Sequence, residues 1–189
     1  AVTGHEPGDP NGRLVDGVGG GVLREAVSPT VDEGEMGELG PQVVAASRAV
    51  ESERQVEVGG DPRFQIRLGD ARGVLELERE AYDAIISQPS HPWTAGSSHL
   101  YTRDFFERVR GRLSPDGVFV QWIDASFVDE ALLRSFAATI THVFPNVRLY
   151  QPNRGGLLFV ASAGPIALEE QVATLGADAA AIFRSVGIS

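Results

Sequence analysis

The sequence predicts an α/β protein with a doubly wound, mostly parallel sheet and an antiparallel hairpin at one edge. Short apolar runs rich in branched residues alternate with amphipathic segments of about 10–15 residues, which is the pattern of strands and helices in such a sheet. The clearest run, 82–86, leads directly into a loop that contains Pro89 and Pro92. Because ligands bind at the carboxyl ends of strands in open parallel sheets, this loop is predicted to border a site.

The first half of the chain shows this alternation weakly. Residues 1–13 are expected to be a disordered or truncated lead-in, and 14–189 a single domain. Pro41 suits the first turn of a helix, and 64–68 alternates apolar and polar residues as a half-buried strand does. The predicted elements of this half are strands at 14–15, 33–39 and 64–68 and helices at 22–27, 41–51 and 71–81.

The second half of the chain is patterned more clearly. Thr102 can cap a helix. One face of that helix carries Phe105, Phe106, Val109 and Leu113. The elements that follow are a turn at 115–117, a strand at 118–122, a helix with a buried stripe at Leu132, Phe136, Ile140 and Val143, strands at 147–150 and 157–161, and a helix at 168–186. The last two strands form the antiparallel hairpin, so the whole is Rossmann-like and typical of the class I methyltransferase fold.

Composition and charge limit the function classes. The formal net charge of −10 argues against a nucleic-acid backbone or an anionic membrane as a partner, and it would attract a cationic amine. The absence of cysteine excludes disulfides, thiolate metal sites and a cysteine nucleophile. No apolar run approaches the roughly 20 residues that span a bilayer, and no secretory signal pattern is found, so a cytoplasmic location is expected. His5, His99 and His142 show no ligand spacing with carboxylates, and no metal is expected.

Three strand ends carry residues suited to a nucleoside. Gly17, Gly19 and Gly20 belong to a glycine run between a strand and a helical segment, where a ligand can approach the backbone closely. A linker is the alternative interpretation of this run. Glu38, about 20 residues further on, can accept both hydroxyls of a ribose, and its alternative is a solvated surface carboxylate. Asp70 follows the third strand and can accept from an adenine amino group, so the three strand ends together predict an adenosine pocket.

A set of short motifs extends this prediction to a family. The motifs are GGVLRE at 20–25, EL at 38–39, GDAR at 69–72, YDAII at 82–86, LYTRDFF at 100–106 and LSPDGV at 113–118. With them the chain resembles the spermidine synthase, or polyamine aminopropyltransferase, family over 14–189, most clearly from Asp70 onward. The PSHPW loop at 89–93 and the tail LFVAS at 158–162 are most similar to its bacterial spermidine synthase-like branch, whose members are often fused to a membrane-transporter-like region.

The resemblance implies a role in polyamine biosynthesis. The domain would bind decarboxylated S-adenosylmethionine and transfer its aminopropyl group to putrescine, a small-molecule amine. By that resemblance the glycine run faces the methionine portion, Glu38 holds the ribose, and Asp70 with Ala71 faces the adenine. The resemblance also implies a fragment of a longer family member, because the family's amino-terminal β-hairpin region and carboxy-terminal extension are not matched. A homodimer is a further expectation.

Two positions after the 82–86 strand depart from the active synthases. The family has two aspartates there, of which the first deprotonates the attacking amine and the second helps to hold the diamine; here Gln88 and His91 take these places. A glutamine has no titratable group and cannot be a general base, whereas a histidine can. His91 is therefore the remaining candidate for the proton acceptor, although a loop histidine beside prolines is more often structural. Trp93 is expected to pack beneath the loop, and Gly19 replaces the acidic residue usual in the glycine run.

Three functions remain open on the sequence. The first is aminopropyl transfer to a polyamine acceptor, with activity reduced or lost. The second is methyl transfer from ordinary S-adenosylmethionine to a small molecule, because the same fold and pocket serve both reactions. The third is a non-catalytic binding module that keeps the fold. Gln88 favours the second and third functions, whereas Glu38 and Asp70 favour the first two.

Overall fold

The computed structural model describes residues 12–17, 31–38, 64–68, 70–77, 81–89, 92–94, 97–153 and 155–166. The strands within them are β1 (Gly12–Gly17), β2 (Val31–Glu38), β3 (Phe64–Leu68), β4 (Tyr82–Ser87), β5 (Leu113–Asp124), β6 (Asn146–Asn153) and β7 (Gly156–Ser162). These described strands form one sheet in the order β3-β2-β1-β4-β5-β7-β6. The predicted helices at 22–27, 41–51 and 168–186 lie outside the described residues and stay predictions.

The sheet is doubly wound about the pair β1 and β4. The pairs β1–β2, β1–β4, β2–β3 and β4–β5 are parallel, whereas β7 is antiparallel to both β5 and β6. The chain adds strands outward from β1 to β3 and then returns to place β4 on the other side of β1. This order confirms the predicted Rossmann-like, class I methyltransferase-like fold class with its antiparallel edge hairpin. It also makes the carboxyl ends of β1 and β4 the switch point at which open sheets bind ligands.

The described helices are α1 (Ala71–Leu77), α2 (Arg103–Arg110) and α3 (Glu130–Val143), with short 3₁₀ turns at Ser98–Tyr101 and Ala125–Phe127. Side-chain caps begin α2 and α3. The predicted cap is confirmed, since Thr102 Oγ1 accepts a hydrogen bond from the Phe105 amide at 3.4 Å. Asp129 Oδ1 accepts one from the Leu132 amide at 2.7 Å. These caps fix where the chain leaves each loop and turns into α2 or α3.

The core lies between α2, α3 and the strands β4, β5 and β7. Its centre is an aromatic cluster in which Phe106 and Phe119 are 0% exposed and their ring centroids are 5.7 Å apart. Phe136 on α3 packs edge-on against Phe159 on β7 with 4.7 Å between centroids. The buried stripe predicted for α3 is confirmed at three of its four residues, whereas Leu132 is only partly buried. Aromatic pairs in such geometries add about 0.5–1.5 kcal/mol each beyond the area they bury. The cluster therefore holds α2 and α3 against β5 and β7, and β5 is the strand that pairs with β4.

The junction between α2 and β5 differs from the prediction. Leu113 begins β5 instead of lying on the buried face of α2. Residues 115–117 are not a turn between elements but a bulge inside β5, since Tyr82 pairs with Leu113 whereas the next β4 residue to pair lies opposite Val118. Gly117 is required in this bulge, because a Cβ there would lie 2.9 Å from the carbonyl oxygen of Tyr82. The Pro-Asp-Gly triplet thus serves a bulge rather than a free turn.

Other details also differ from the prediction. α1 is described over Ala71–Leu77, and Ala81, the last residue of the predicted helix, is not helical. Trp93 is 57% exposed instead of packed beneath its loop. β1, β6 and β7 are longer than their apolar runs, because backbone pairing extends a ladder beyond the residues whose side chains are patterned.

Candidate functional site

Predicted site residues from four strands meet at the carboxyl edge of the sheet. Gly17 and Glu38 are the last residues of β1 and β2, Asp70 follows β3, and Gln88 follows β4. The register aligns them, because Gly17 pairs both with the residue before Glu38 and with the residue before Gln88. The strands β3, β2, β1 and β4 are consecutive in the sheet, so this row spans about 14 Å at a strand spacing of about 4.8 Å.

The other predicted site residues are only partly described. Ala71 is the first residue of α1 and stands directly beside Asp70. Gly19, Gly20 and His91 lie outside the described residues, so their placement and roles stay predictions. Gln88 carries no titratable group, which leaves its loop position without a base.

Asp70 is held in place by Arg72. Its Oδ2 accepts hydrogen bonds from Arg72 Nη2 at 2.7 Å and Nε at 3.1 Å, and its Oδ1 accepts one from the Arg72 backbone amide at 3.1 Å. The last of these bonds is the N-terminal cap of α1. The side-chain hydrogen bond from Arg72 lowers the pKa of the Asp70 carboxyl below its usual value, so the group is ionised at neutral pH. A fixed carboxylate acceptor therefore stands at the end of β3.

No sequence pattern points to His99, which the structure brings to Asp70. Its Nε2 lies 3.9 Å from Asp70 Oδ1, and the side chains of His99 and Asp70 are 27% and 38% exposed. His99 belongs to the 3₁₀ turn after β4, whereas Asp70 follows β3, and two other strands lie between β3 and β4. The contact joins two loops that are distant in the sequence, so only the folded chain reveals it.

A buried glutamine on β5 lies beside the last residue of β4. Gln121 pairs with Ser87 in the β4–β5 ladder and is 0% exposed. Its Nε2 donates to the Trp122 carbonyl at 3.3 Å, whereas its Oε1 has no hydrogen-bond partner in the described part of the chain. An unpartnered buried acceptor costs about 1–3 kcal/mol, so such a group calls for an explanation. The available sequence signal is a polar residue in the apolar run 118–122.

The loop after β4 is fastened by Tyr101. Its hydroxyl donates to the Pro89 carbonyl at 3.5 Å, and its ring packs edge-on against Phe136 with 5.9 Å between centroids. Burial raises the pKa of Tyr101, so the phenol stays protonated and remains a donor. A cavity of about 70 Å³ lies beside it, with Pro92 in its wall. Tyr101 therefore links the loop that carries Gln88 to Phe136 on α3.

A further carboxylate ends the neighbouring strand. Asp124 is the last residue of β5, which pairs with β4, and its Oδ1 accepts a hydrogen bond from the Ser126 amide at 2.9 Å. This bond caps the 3₁₀ turn after β5 and fixes the side chain. Neither a motif nor the resemblance pointed to Asp124, although it shares the carboxyl edge with Gln88.

The described part of the chain lacks two kinds of feature. Within it no three His, Cys, Asp or Glu side chains form a group that could hold a metal ion. Nor does any helix of those ranges combine the length and apolarity needed to cross a bilayer.

Comparison with known proteins gives consistent matches. Residues 11–153 match the family described as the spermine/spermidine synthase domain. The polyamine aminopropyltransferase of Synechococcus sp. is 31% identical over 156 residues, which is 79% of this chain and 50% of that protein. The polyamine aminopropyltransferase of Moorella thermoacetica is 31% identical over 145 residues, or 75% of this chain and 50% of that protein. The chain thus spans about half the length of these curated relatives.

Solved structures show the same fold. A spermidine synthase in complex with the transition state analogue AdoDATO superposes with a TM-score of 0.74 at 24% identity, covering 86% of this chain and 58% of that one. Human methyltransferase-like protein 13 in complex with SAH superposes with a TM-score of 0.64 at 21% identity, covering 86% and 77%. The family match covers more than half of the sequence, and the relatives at 31% identity agree with it. The chain therefore belongs to the spermine/spermidine synthase family.

Proposed function

We propose that this chain binds decarboxylated S-adenosylmethionine at the carboxyl edge of its sheet and transfers the aminopropyl group to a small polyamine acceptor. Membership of the family supports aminopropyl transfer in general, and the relatives at 31% identity are polyamine aminopropyltransferases. The observation that carries the proposal is the register that aligns Gly17, Glu38 and Asp70 beside the loop of Gln88. The net charge of −10 also favours approach of a polycationic substrate.

The nucleoside would lie along β1, β2 and β3. In this arrangement the glycine run with Gly17, Gly19 and Gly20 faces the methionine portion, and Glu38 accepts the ribose hydroxyls. Asp70, with Ala71 beside it, faces the adenine. The lowered pKa of Asp70 keeps its carboxylate available as an acceptor over the whole neutral range.

The reaction would be an in-line displacement at carbon. The neutral amine of the acceptor attacks the aminopropyl carbon bonded to the sulfonium, so a C–N bond forms while the C–S bond breaks. The electron pair of that bond stays on sulfur, 5′-methylthioadenosine leaves, and the proton of the attacking amine passes to a base. Because the sulfonium is already a good leaving group, the protein mainly supplies positioning and a proton acceptor.

The proton acceptor is the step at which this chain departs from its family. Gln88 cannot take the proton, and His91 is the proposed replacement. Asp124, at the end of the strand next to β4, is the competing carboxylate. Replacing each residue separately decides between them: His91→Ala should remove transfer and Asp124→Asn should leave it, and the reverse result would move the role to Asp124.

Methyl transfer from ordinary S-adenosylmethionine is the second candidate. It is favoured by Gln88, because the position of the family's amine base has no titratable group. The structure also superposes on human methyltransferase-like protein 13 in complex with SAH. This likeness supports a shared fold and does not by itself favour methyl transfer. A non-catalytic module that binds the nucleoside is the third candidate, and it predicts binding of a nucleoside without turnover.

Calorimetric titration with both forms of S-adenosylmethionine tests the proposal. We expect binding that prefers the decarboxylated form and is lost in Glu38→Ala. The matched control is Glu130→Ala, which removes an exposed carboxylate paired with Arg134 on α3 and should not change binding. A preference for the carboxylated form would favour methyl transfer, and binding without formation of 5′-methylthioadenosine would favour the non-catalytic module. No binding of either form by a folded chain would overturn the proposal.

A further inference from the structure

The side chains of Asp70 and His99 face each other, although no sequence motif predicts this contact. They come from loops after β3 and β4, which are separated in the sheet by β2 and β1, or about 14 Å at normal strand spacing. The 3₁₀ turn Ser98–Tyr101 nevertheless brings His99 Nε2 to 3.9 Å from Asp70 Oδ1. The segment after β4 therefore reaches across to the end of β3 and supplies a second wall to the proposed nucleoside site.

The oxygens of Asp70 are not equally occupied. Oδ2 accepts a short, charge-assisted bond from Arg72 Nη2 at 2.7 Å and a longer one from Nε at 3.1 Å. Oδ1 accepts from the Arg72 amide at 3.1 Å and only weakly from Nε at 3.4 Å. Oδ1 is thus the less heavily used oxygen, and it is the one that faces His99.

The 3.9 Å between Asp70 Oδ1 and His99 Nε2 is longer than the roughly 2.7–3.2 Å of a hydrogen bond. The His99 backbone is fixed on its side of this gap, because Thr102 Oγ1 donates to the His99 carbonyl at 2.7 Å and the next residue, Leu100, is buried. Both side chains remain partly exposed, at 27% and 38%, so a ligand can reach them. The gap therefore lies between a fixed, accessible acceptor and the ring nitrogen of a histidine whose backbone is held in place.

We propose that Asp70 Oδ1 and His99 Nε2–H together recognise a nucleobase edge in which an amino group stands next to an unprotonated ring nitrogen. The amino group donates to Asp70, and the ring nitrogen accepts from the Nε2–H of His99, in the imidazole tautomer that carries its proton on that nitrogen. Adenine presents this edge. Hypoxanthine presents an oxo group in place of the amino group, and the oxo group would face the carboxylate as acceptor against acceptor.

His99 is thus a specificity-determining residue for the base of the nucleoside, and this inference rests on the proposed function. A purely structural role is the competing explanation, in which His99 only pairs with the carboxylate that caps α1. The two explanations differ in their readouts. A structural role changes the stability of the chain and weakens all nucleosides alike, whereas base recognition changes the preference between two bases.

The test is calorimetric titration of the full chain with 5′-methylthioadenosine and its 6-oxo counterpart, 5′-methylthioinosine. We expect wild type to prefer the adenine compound and His99→Ala to weaken its binding about tenfold, the order expected for a lost hydrogen bond. Binding of 5′-methylthioinosine should weaken much less in His99→Ala, so the ratio of the two affinities should be smaller than in wild type. His99→Gln, which keeps an N–H donor, should recover part of the affinity.

The matched control is His142→Ala, since His142 is an exposed histidine in the last turn of α3. It should bind both compounds as wild type does, with an unchanged melting temperature. The inference is overturned if His99→Ala retains the wild-type preference, or if it weakens both compounds by the same factor. If wild type binds 5′-methylthioadenosine, the proposed function stands whether or not His99 determines the base preference. If wild type does not bind it, both the proposed function and the role of His99 are overturned.

Discussion

Replacing Gln121 by leucine should stabilise the protein, although the change removes a hydrogen bond. Gln121 is 0% exposed on β5, and its Oε1 has no partner among the described residues. Burying an acceptor in that state costs about 1–3 kcal/mol, which leucine of similar volume does not incur. The bond that leucine loses, from Nε2 to the Trp122 carbonyl, is long at 3.3 Å and contributes about 0.5–1.5 kcal/mol at most.

The net effect is a stabilisation of about 1 kcal/mol, because the cost removed exceeds the bond lost. For a chain of this size that corresponds to a rise in melting temperature of about 2–4 °C. Thermal unfolding followed by circular dichroism measures it, with urea unfolding as a second estimate of the free energy of unfolding. Turnover measured on the same variant shows whether the unpartnered oxygen serves a substrate, since in that case stability rises while the reaction slows.

The matched control is Ser162→Ala, at a buried polar side chain that is fully used. Ser162 is 2% exposed, donates to the Gly117 carbonyl at 2.9 Å and accepts from the Gly164 amide at 3.2 Å. Its removal leaves both backbone groups without this partner and should destabilise by about 1–3 kcal/mol, the opposite sign to Gln121→Leu. If Gln121→Leu lowers the melting temperature as Ser162→Ala does, Oε1 has a partner in solution and the reasoning fails.

Three other predictions address the bulge, the acid limb and the proton acceptor. Gly117→Ala should lower the free energy of unfolding by about 1–3 kcal/mol, because the new methyl group would lie 2.9 Å from the Tyr82 carbonyl; an unchanged urea midpoint would contradict this. Arg72 lowers the pKa of Asp70 below its ordinary value of 3.8 in the folded chain. The stability that this carboxylate contributes is therefore complete above pH 3.8 and is lost as the pH falls through the lower pKa of the folded chain. In Asp70→Asn, the free energy of unfolding should fall less steeply at acid pH than in wild type. Gln88→Asp should accelerate aminopropyl transfer by about 10²-fold or more, because it places a carboxylate base at the position where the family has one, and unchanged turnover with intact nucleoside binding would show that proton removal is not limiting.

Much of the fold follows from the sequence because its signals are local. The run at β4 is short, apolar and rich in branched side chains, and such a run has few alternatives to a central strand. The hairpin of β6 and β7 follows from two apolar runs around a glycine pair, and Thr102 stands where a cap is needed. Once the strands are ordered, the site edge follows from topology, because parallel strands bring their carboxyl ends to one edge.

The rest depends on contacts between distant segments. The triplet at 115–117 has the composition of a turn, and only its pairing opposite Tyr82 makes it a bulge. The approach of His99 to Asp70 joins loops of two strands that are not neighbours, so no spacing in the sequence encodes it. The unpartnered oxygen of Gln121 is a property of its surroundings rather than of its residue type.

The site divides into two halves that meet where β1 and β4 lie side by side. The half on β1, β2 and β3 carries Glu38 and Asp70 and would supply the binding energy for the nucleoside. The half on β4 and β5 carries Gln88 and Asp124 and would determine where the proton of the attacking amine goes. These are separate contributions, because a sulfonium leaves readily and the base acts on the amine alone. A glutamine at position 88 would therefore slow the transfer without weakening nucleoside binding, and affinity for the nucleoside cannot stand in for activity in this chain.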